Sequence, residues 1–284
     1  FKVLRVIEGF MDRFEYVPVD IIERRLRVSP SILSSSLSKL NRLKLIRRIR
    51  GAYIGYILTF RGLDCIALNS LSKNTVLQAI GNKIGVGKES EVYEGLSSAG
   101  ERVTVKIHRV GRVSFKQTFR KRTYGVERPS TSWLKESIIA ATREYQALIK
   151  AYRAGARVPR PIARNRHIVV TQLIKGVPLY KIKILEGAET ILEMILRDVK
   201  KLYLVAGIVH GDLSEYNVLI DMDRIEPTII DWPQYVDREH PEADNLLKRD
   251  VTYIVRFFQK KYNVRINLEK ALAFVRGEVE DIGR

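Results

Sequence analysis

The sequence predicts an α+β protein, in which a short helical unit precedes a larger domain that begins with strands and ends with helices. Three observations support this prediction. Within residues 1–75, apolar residues recur at helical spacing and then give way to a two-strand pattern. From Val76 the period becomes that of strands, and beyond about residue 132 long segments return to helical spacing. At 284 residues the chain is long enough for two domains, each with its own core.

Composition narrows the class of protein. The chain is 45% hydrophobic and 29% charged, as in ordinary globular proteins, and no apolar run approaches the roughly 18 residues of a membrane span. The first segment, Phe1 to Phe14, carries charges throughout and does not resemble a signal peptide. A single cysteine, Cys65, permits no internal disulfide and fits a reducing compartment. We therefore expect a cytoplasmic protein with no membrane partner.

The net charge of +18 points to an acidic partner, and the commonest large polyanion is nucleic acid. Residues 1–80 hold 14 Lys and Arg against 6 Asp and Glu, a net charge of +8. A second concentration of basic residues lies within residues 109–131, a polar segment almost without apolar periodicity that we predict to be a loop. Whether this loop is merely solvated or contacts nucleic acid or substrate is left open by the sequence.

Residues 1–75 have the layout of a winged helix-turn-helix module. Two helical segments precede Ser29-Pro30, a helix start with Ser as N-cap and Pro at the first helical position. Two strands, Leu45 to Arg50 and Ala52 to Thr59, then form a hairpin. In such modules the third helix enters a groove of nucleic acid while basic residues lie along the wing. The wing residues here are Arg47, Arg48, Arg50 and Tyr53. Docking of another protein is the alternative, and double-stranded DNA and structured RNA are not distinguished.

Three strands are predicted next, over Leu77 to Val86, Ser90 to Leu96 and Arg102 to His108. The turn between the first two is rich in glycine, which lets backbone amides approach phosphate oxygens closely. Its residues are Gly85, Val86, Gly87, Lys88, Glu89 and Ser90. Lys106 faces inward from the third strand, which is costly unless it meets anions such as nucleotide phosphates. Val92 completes the expected nucleotide contacts of these strands.

A long helix is predicted over Ser132 to Ala154, and it carries two candidate partners for Lys106. We favour Glu144, near the helix centre, over Glu136. Further on, an apolar strand runs into Gly176, where the backbone of Gln172 and Ile174 is expected to hydrogen-bond an adenine edge.

The segment from His210 to Asn217 is a short polar loop between apolar segments, and Asp231 follows at the end of the next strand. Phosphoryl transfer from a metal-bound nucleotide needs these groups: Asp212 to accept a hydroxyl proton, with Asn217 and Asp231 holding the metal. A polar turn with an Asp cap is the plainer alternative. His210 is expected to bond the backbone rather than act as a base or metal ligand.

Together these segments resemble the RIO family of atypical serine/threonine protein kinases. The matching segments are the glycine turn of residues 85–90, Lys106, Arg143-Glu144-Tyr145, His210 to Asn217, and Ile230 to Gln234. Val209 to Asp231 alone also resembles aminoglycoside and choline phosphotransferases. The Gly-Lys-Glu-Ser turn and the basic winged helix favour the RIO family, and the winged helix marks its second subfamily.

The resemblance implies a winged-helix domain followed by a bilobal kinase-like domain that binds ATP with Mg²⁺, or with Mn²⁺ as the alternative metal. The implied boundaries are 1–75 for the winged helix, 76–171 for the N-lobe, 172–176 for the hinge and 177–284 for the C-lobe. It also implies a role in maturation of the small ribosomal subunit, with a pre-ribosomal particle or rRNA as partner. By matching, Asp212 is the catalytic residue, Asn217 and Asp231 are the metal ligands, and Lys106 binds phosphates.

Only 53 residues follow Asp231, too few for both an activation segment and a platform of peptide-binding helices. We therefore expect nucleotide binding and hydrolysis to be better supported than transfer to an arbitrary peptide, and the resemblance allows Asp231 itself to take the phosphoryl group. Two alternatives remain: a small-molecule phosphotransferase, and a winged-helix nucleic-acid-binding protein with a non-catalytic nucleotide-sensing domain.

Overall fold

The structure, a computed structural model, describes residues 1–111 and 130–282. The chain forms two compact units. Unit 1 comprises Phe1–Thr142 and Arg164–Val169, and unit 2 comprises Arg143–Ala163 and Val170–Arg284. The predicted domain boundary near residue 75 lies inside unit 1, and the predicted lobe boundary at residue 171 lies just after the chain passes into unit 2. The division into domains at these positions stays a prediction.

The first part of unit 1 has the predicted arrangement of helices followed by a hairpin. The helices are α1 (Lys2–Phe10), α2 (Val19–Leu26), α3 (Pro30–Arg42) and α4 (Phe60–Lys73), and the strands are β1 (Val17–Pro18), β2 (Ile46–Arg50) and β3 (Ile54–Leu58). The strands form an antiparallel sheet of order β1-β3-β2. Pro30 begins α3 as predicted, but the Ser29 side chain makes no capping hydrogen bond and its Oγ lies 3.3 Å from Ser31 Oγ. Strand β1 was not predicted, because two residues ending in proline carry no strand periodicity.

One apolar cluster holds these helices together. Its members come from each of the four helices and from the wing, at the positions that the helical spacing places inward. They include Leu4, Ile7, Ile22, Leu33, Leu37, Ile46, Leu63 and Ile66. Leu134 on helix α5 (Ser130–Arg153) is buried in the same cluster. The winged helix therefore packs against the start of α5, rather than standing apart from it.

A five-stranded sheet follows along the chain, and its last two strands belong partly to unit 1 and partly to unit 2. Its strands are β4 (Leu77–Val86), β5 (Ser90–Ser97), β6 (Arg102–His108), β7 (Pro161–Asn165) and β8 (Ile168–Gln172), in the order β4-β5-β6-β8-β7. The three predicted strands, β4 to β6, are confirmed and form an antiparallel meander. Most of the predicted basic loop, residues 112–129, lies outside the described residues. Its first residue, Arg109, is not solvated but belongs to a buried ion cluster.

Unit 2 combines helices with short strands. The helices are α6 (Ala188–Leu204), α7 (Ala243–Tyr262) and α8 (Leu268–Arg276), and the strands are β9 (Val177–Pro178), β10 (Ile208–Val209), β11 (Val218–Asp221), β12 (Glu226–Ile229) and β13 (Val236–Asp237). Helix α7 begins at Ala243, and α8 was not predicted. Apolar residues of α8, among them Leu272 and Phe274, are buried.

After Asp231 the chain returns quickly to helix. Residues 232–242 contain only the two-residue strand β13 before α7 begins at Ala243. None of the helices within residues 1–111 and 130–282 is long and apolar enough to cross a membrane. The α+β fold class is confirmed.

Candidate active site

The loop from His210 to Asn217 connects β10 to β11 within unit 2 and exposes one carboxylate. Asp212 is exposed, whereas Leu213 beside it is 1% exposed and anchors the loop in the apolar interior. Asn217 is buried, and its Nδ2 donates to Asp212 O at 2.8 Å and lies 3.5 Å from Asp212 Oδ2. The carboxamide thus fixes the loop around the residue that carries the free carboxylate.

The hairpin of β11 and β12 brings Asn217 and Asp231 to the same end. The two strands are antiparallel, with Val218 opposite Ile229, and the Ile230 N–H donates to Asn217 O at 2.9 Å. Asn217 therefore enters the hairpin where Asp231 leaves it. Asp231 has a φ of 71°, a left-handed backbone that non-glycine residues rarely adopt and that is often found at functional sites.

His210 is a structural residue, as expected. It is 3% exposed, its Nε2–H donates to Ile230 O at 3.1 Å, and its Nδ1 accepts from the Asp212 N–H at 3.3 Å. These contacts require the neutral imidazole. Burial holds the pKa of His210 below its usual value, which agrees with that form. The ring also packs against Trp232, with ring centroids 4.5 Å apart. The histidine ties the loop to the end of β12.

The carboxylate of Asp250, which the sequence analysis did not identify as a site residue, binds the backbone of the loop. It lies on α7, is 1% exposed, and accepts from the Gly211 N–H at 2.7 Å and the Leu213 N–H at 3.2 Å. These two donors flank Asp212. Burial raises the pKa of Asp250 to about 7, although both backbone hydrogen bonds oppose that rise. No local motif marks this residue, because its partners lie about forty residues away in the chain.

Gly211 is required by its geometry. Its φ is 78°, and a Cβ at this position would lie 2.6 Å from Gln234 O. The Arg249 side chain also donates to Gly211 O. The glycine in the His-Gly-Asp sequence therefore allows the loop to approach the segment after Asp231 closely.

In unit 1, three of the predicted nucleotide-binding residues lie in one row across the sheet. Gly85 on β4 is opposite Val92 on β5, and Val92 is opposite Lys106 on β6. Directly opposed residues project to the same face of a sheet, so the glycine leaves space beside the valine and the lysine. The turn itself is closed by a hydrogen bond from the Gly87 N–H to Ser90 O at 2.9 Å.

A cluster of charged side chains fixes the start of β5. Arg109 donates to Asp64 Oδ1 and Oδ2 at 2.6 and 2.9 Å and to Glu91 Oε2 at 3.2 Å, and Lys83 binds Glu91 Oε1 at 2.6 Å. His167 Nε2 lies 2.8 Å from Asp64 Oδ1. We call these five residues the Arg109 cluster. Burial opposes ionisation of Asp64, but the hydrogen bonds from His167 and Arg109 prevail and lower its pKa.

The remaining predicted residues are placed as follows. Glu144 lies on α5 in unit 2 and is 4% exposed, whereas its competitor Glu136 is half-buried in unit 1. A buried carboxylate needs a compensating partner, so Glu144 is better suited to an ion pair than a surface residue. The Gln172 N–H donates to Arg160 O at 2.9 Å, so this backbone donor of the predicted hinge already has an acceptor within the protein. Ile174 lies in the segment of residues 173–176, which has no regular secondary structure. The roles of these residues stay predictions.

Comparison with known proteins supports this interpretation along the chain. The family model described as "RIO domain" matches residues 91–271, and the one described as "Rio2, N-terminal" matches residues 1–74. The chain belongs to the RIO kinase family. The RIO-type serine/threonine-protein kinase Rio2 of Methanocaldococcus jannaschii is 36% identical over 274 residues, which cover 93% of this chain and 99% of that one. The serine/threonine-protein kinase rio2 of Dictyostelium discoideum is 37% identical over 263 residues, but only 50% of its length is covered.

Among solved structures, this RIO chain is similar to the Rio2 kinase–ADP/Mg²⁺–phosphoaspartate complex from Chaetomium thermophilum. The TM-score is 0.80 at 32% sequence identity, and 98% of this chain and 90% of that chain are covered. The predicted family, its kinase-like fold and its class as a serine/threonine-protein kinase are confirmed.

Proposed function

We propose that this RIO protein uses ATP and Mg²⁺ to transfer a phosphoryl group, and that it acts in the cytoplasm on small ribosomal subunit precursors. The observation that carries the chemistry is the convergence of Asn217 and Asp231 at one end of the β11–β12 hairpin, with Asp212 bonded to Asn217. The relative from Chaetomium thermophilum was solved with ADP and Mg²⁺, and such a pair fits this set of side chains.

The side chains suit a hard divalent cation. A carboxylate and a carboxamide both offer oxygen ligands, which Mg²⁺ prefers, and Mg²⁺ commonly takes one or two carboxylates with substrate phosphates and water as its other ligands. Within the described residues no three His, Cys, Asp or Glu side chains form a metal set, so a site of this kind relies on the nucleotide for part of its coordination. Asn217 and Asp231 would hold Mg²⁺, or Mn²⁺, which offsets the charge on the phosphates.

The reaction assigns one role to each remaining residue. Asp212 is exposed on a loop that Asp250 fixes. It accepts the proton of the attacking hydroxyl group while the hydroxyl oxygen bonds to the γ-phosphorus and the bond between that phosphorus and ADP breaks. Lys106, with Gly85 and Val92 in its row of the sheet, contacts phosphates and the nucleotide. When water is the acceptor the same steps give ADP and phosphate, so kinase and ATPase activities share this machinery.

An acceptor within the protein is also available in this chemistry. The carboxylate of Asp231 can bond to the γ-phosphorus as ADP leaves, and hydrolysis of the resulting acyl phosphate returns phosphate. The relative from Chaetomium thermophilum was solved with a phosphoaspartate. The short segment between Asp231 and α7, residues 232–242, offers little surface for a peptide and favours this reaction or ATP hydrolysis as the main activity.

The test is turnover of ATP by Asp212→Ala and Asp231→Ala, with Asp223→Ala as the matched control. Asp223 is an exposed carboxylate at the opposite end of the same hairpin. We expect at least about a 100-fold loss of kcat in the first two, the scale of a lost general base, and none in the control. Hydroxylamine releases phosphate from an acyl phosphate but not from a phosphoserine, so it separates the two acceptors. Unchanged ATP hydrolysis and autophosphorylation in both site variants would refute the proposal.

For docking, we propose that the winged helix binds the RNA of the precursor particle. Helix α3 contains no acidic residue, and apart from Ile32 the residues exposed after its first position are polar or basic. These polar and basic residues are Ser31, Ser34, Ser35, Ser38, Lys39, Asn41 and Arg42, and the wing exposes Arg47, Arg50 and Tyr53. Backbone phosphates would pair with these cations, which makes the affinity fall with salt. If the protein binds ATP but forms no ADP, and binds DNA in preference to RNA, it is instead a winged-helix nucleic-acid-binding protein with a non-catalytic second domain.

A further inference from the structure

A hollow of about 400 Å³ lies on the surface of α1 and α2, on elements other than α3 and the wing. Its lining consists of three arginines around a small apolar floor. The lining residues are Arg5, Val6, Gly9, Phe10, Arg13 and Arg25. The volume lies within the range of ordinary ligand pockets, roughly 300–1,000 Å³. Among the described residues none of those that line it is acidic, so three positive charges surround it without a carboxylate.

The arginines of the hollow keep their side chains in solvent. Arg5, Arg13 and Arg25 are exposed, and in the described part of the chain none of the three forms an ion pair. Three carboxylates of the same segment are each bound to a different cation. The pairs are Glu8 with Arg166, Asp12 with Lys135, and Asp20 with Arg24. These three carboxylates are therefore bound to cations other than the arginines of the hollow.

Gly9 has no structural reason to be glycine. It lies on α1 with an ordinary helical backbone, and a Cβ there would meet nothing within 4 Å. Glycine in a helix is about 1 kcal/mol less favourable than alanine, so the residue weakens α1 without relieving a clash. Residues four apart share one face of a helix, which places Gly9 beside Arg5, and Arg13 lines the same hollow from the turn that follows α1. The missing side chain keeps the floor of the hollow open.

We propose that this hollow binds a single-stranded RNA segment, with a phosphate on the arginines and an unstacked base over Val6 and Phe10. Guanidinium groups match phosphate oxygens in a bidentate manner, and unstacked RNA bases pack on aromatic rings and on guanidinium planes. Val6 and Phe10 are half-buried, so they present a fixed apolar surface to a flat group. A peptide of Asp and Glu alone would satisfy the arginines but has no flat group for the floor.

This inference rests on the proposed docking to RNA and extends it. The winged helix would hold RNA at two places, α3 with the wing and the α1–α2 hollow. The experiment compares the full-length chain with three variants that each lose three positive charges. The hollow variant is Arg5→Gln with Arg13→Gln and Arg25→Gln, and the α3–wing variant is Lys39→Gln with Arg42→Gln and Arg50→Gln. The control is Arg153→Gln with Arg224→Gln and Arg256→Gln, exposed arginines of unit 2.

Binding of a labelled oligouridine is measured by fluorescence anisotropy over a salt series. For single strands the logarithm of the affinity falls with the logarithm of salt by about 0.7 per phosphate contact. At about 0.1 M salt each lost contact therefore lowers the affinity about fivefold, and three lower it about 100-fold. We expect this loss, and a salt slope shallower by about 2, in the hollow variant. We expect a change of less than about twofold in the control, since its three arginines lie in unit 2.

The three ways in which this test can fail are distinguishable. If only the α3–wing variant loses affinity, the hollow proposal is overturned and the docking proposal stands. If the wild-type chain does not bind RNA, both are overturned. If the hollow variant loses affinity for polyglutamate but keeps it for oligouridine, the occupant is an acidic peptide and the RNA proposal is again overturned.

Substitution at Gly9 tests the base separately from the phosphate. Gly9→Leu places a side chain over the floor, where its Cβ clashes with nothing, and removes no charge. We expect the Tm to stay level or rise, because leucine favours helix. We expect the Kd for oligouridine to rise about tenfold with an unchanged salt slope, on the scale of one lost base stack. An unchanged Kd in a variant whose Tm is maintained would overturn the placement of the base.

Discussion

Substitution of Asp250 by asparagine is expected to change both the stability of the protein and its turnover. The residue is buried, and its two carboxylate oxygens accept from the Gly211 and Leu213 N–H groups. Asparagine has nearly the same volume but only one acceptor oxygen, so one backbone N–H would face the amide Nδ2. In acid the Asp250 carboxyl is protonated and neutral, so the substitution leaves one buried N–H donor without an acceptor, which costs about 1–3 kcal/mol. We expect a destabilisation of roughly 1–3 kcal/mol in acid.

The pH dependence of this loss follows from the raised pKa of Asp250. Between the unfolded value of 3.8 and the folded value of about 7, the native state holds a proton that the unfolded state releases. The contribution of Asp250 is therefore complete below about pH 4 and declines as the pH rises to about 7. At 1.36 kcal/mol per pKa unit, the decline amounts to about 4 kcal/mol. The asparagine variant has no proton to release and lacks this slope.

Urea unfolding of both proteins at a series of pH values measures the difference in unfolding free energy. We expect the difference between wild type and Asp250→Asn to shrink by up to about 4 kcal/mol from pH 4 to pH 7. Asp244→Asn is the control, because Asp244 lies on the same helix, is exposed and pairs with Arg276. Its difference from wild type should stay below about 1 kcal/mol, the range of a surface ion pair. A pH-independent difference for Asp250→Asn would refute the reasoning.

Turnover provides a second measurement on the same variant. Asp212 lies between the two backbone groups that Asp250 binds, so a displaced loop moves the carboxylate that accepts the proton. Misplacement by about 1 Å can lower the rate about 100-fold. We expect kcat to fall by about 10- to 100-fold while KM for ATP stays nearly constant. A rise in KM with an unchanged kcat would show that Asp250 acts on nucleotide binding instead.

Two further predictions concern single residues of each unit. Gly211→Ala should lower kcat at least about tenfold, because its Cβ would meet Gln234 O. Gly207→Ala is the control, since Gly207 has a similar φ of 66° and its Cβ would meet no atom within 4 Å. The control should lose only about 1 kcal/mol of stability and keep its kcat. Asp64→Asn should lower the unfolding free energy by about 3 kcal/mol in urea, because it removes the main partner of the buried Arg109 guanidinium; a loss below about 1 kcal/mol would contradict this.

The order of elements was largely predictable from the sequence, because it depends on local periodicity. Strands β4 and β6 begin and end at the predicted residues, and the hairpin of the wing is as expected. The closeness of Asn217 and Asp231 was also predictable, because a tight hairpin brings together the residues just outside its strands. The roles of these residues in catalysis remain predictions.

The residues that hold the site in place were not predictable, since they act through partners distant in the chain. Asp250 stands in the sequence as one acidic residue among many, and Asp64 as one charge among apolar residues. Only the packing of α7 beneath the loop, and of α4 beside β5, gives these two carboxylates their role as acceptors. Helix α8 was also missed, although four of its nine residues are buried.

The buried histidines act against the slope that Asp250 produces, whereas Asp198, whose pKa burial also raises, adds to it, so the variant difference is the decisive quantity. Burial lowers the pKa of His167 below 6.5, despite the adjacent Asp64 carboxylate, and it lowers that of His210 as well. A buried neutral histidine makes stability rise with pH up to its unfolded pKa, since the unfolded state binds the extra proton. Asp64, with its lowered pKa, loses its contribution only in acid below about pH 4. Between pH 4 and 7 the unfolding free energy of the wild type thus sums opposing contributions and can be nearly independent of pH. Subtracting the unfolding free energy of Asp250→Asn at each pH cancels the contributions of the histidines and leaves that of the Asp250 carboxylate.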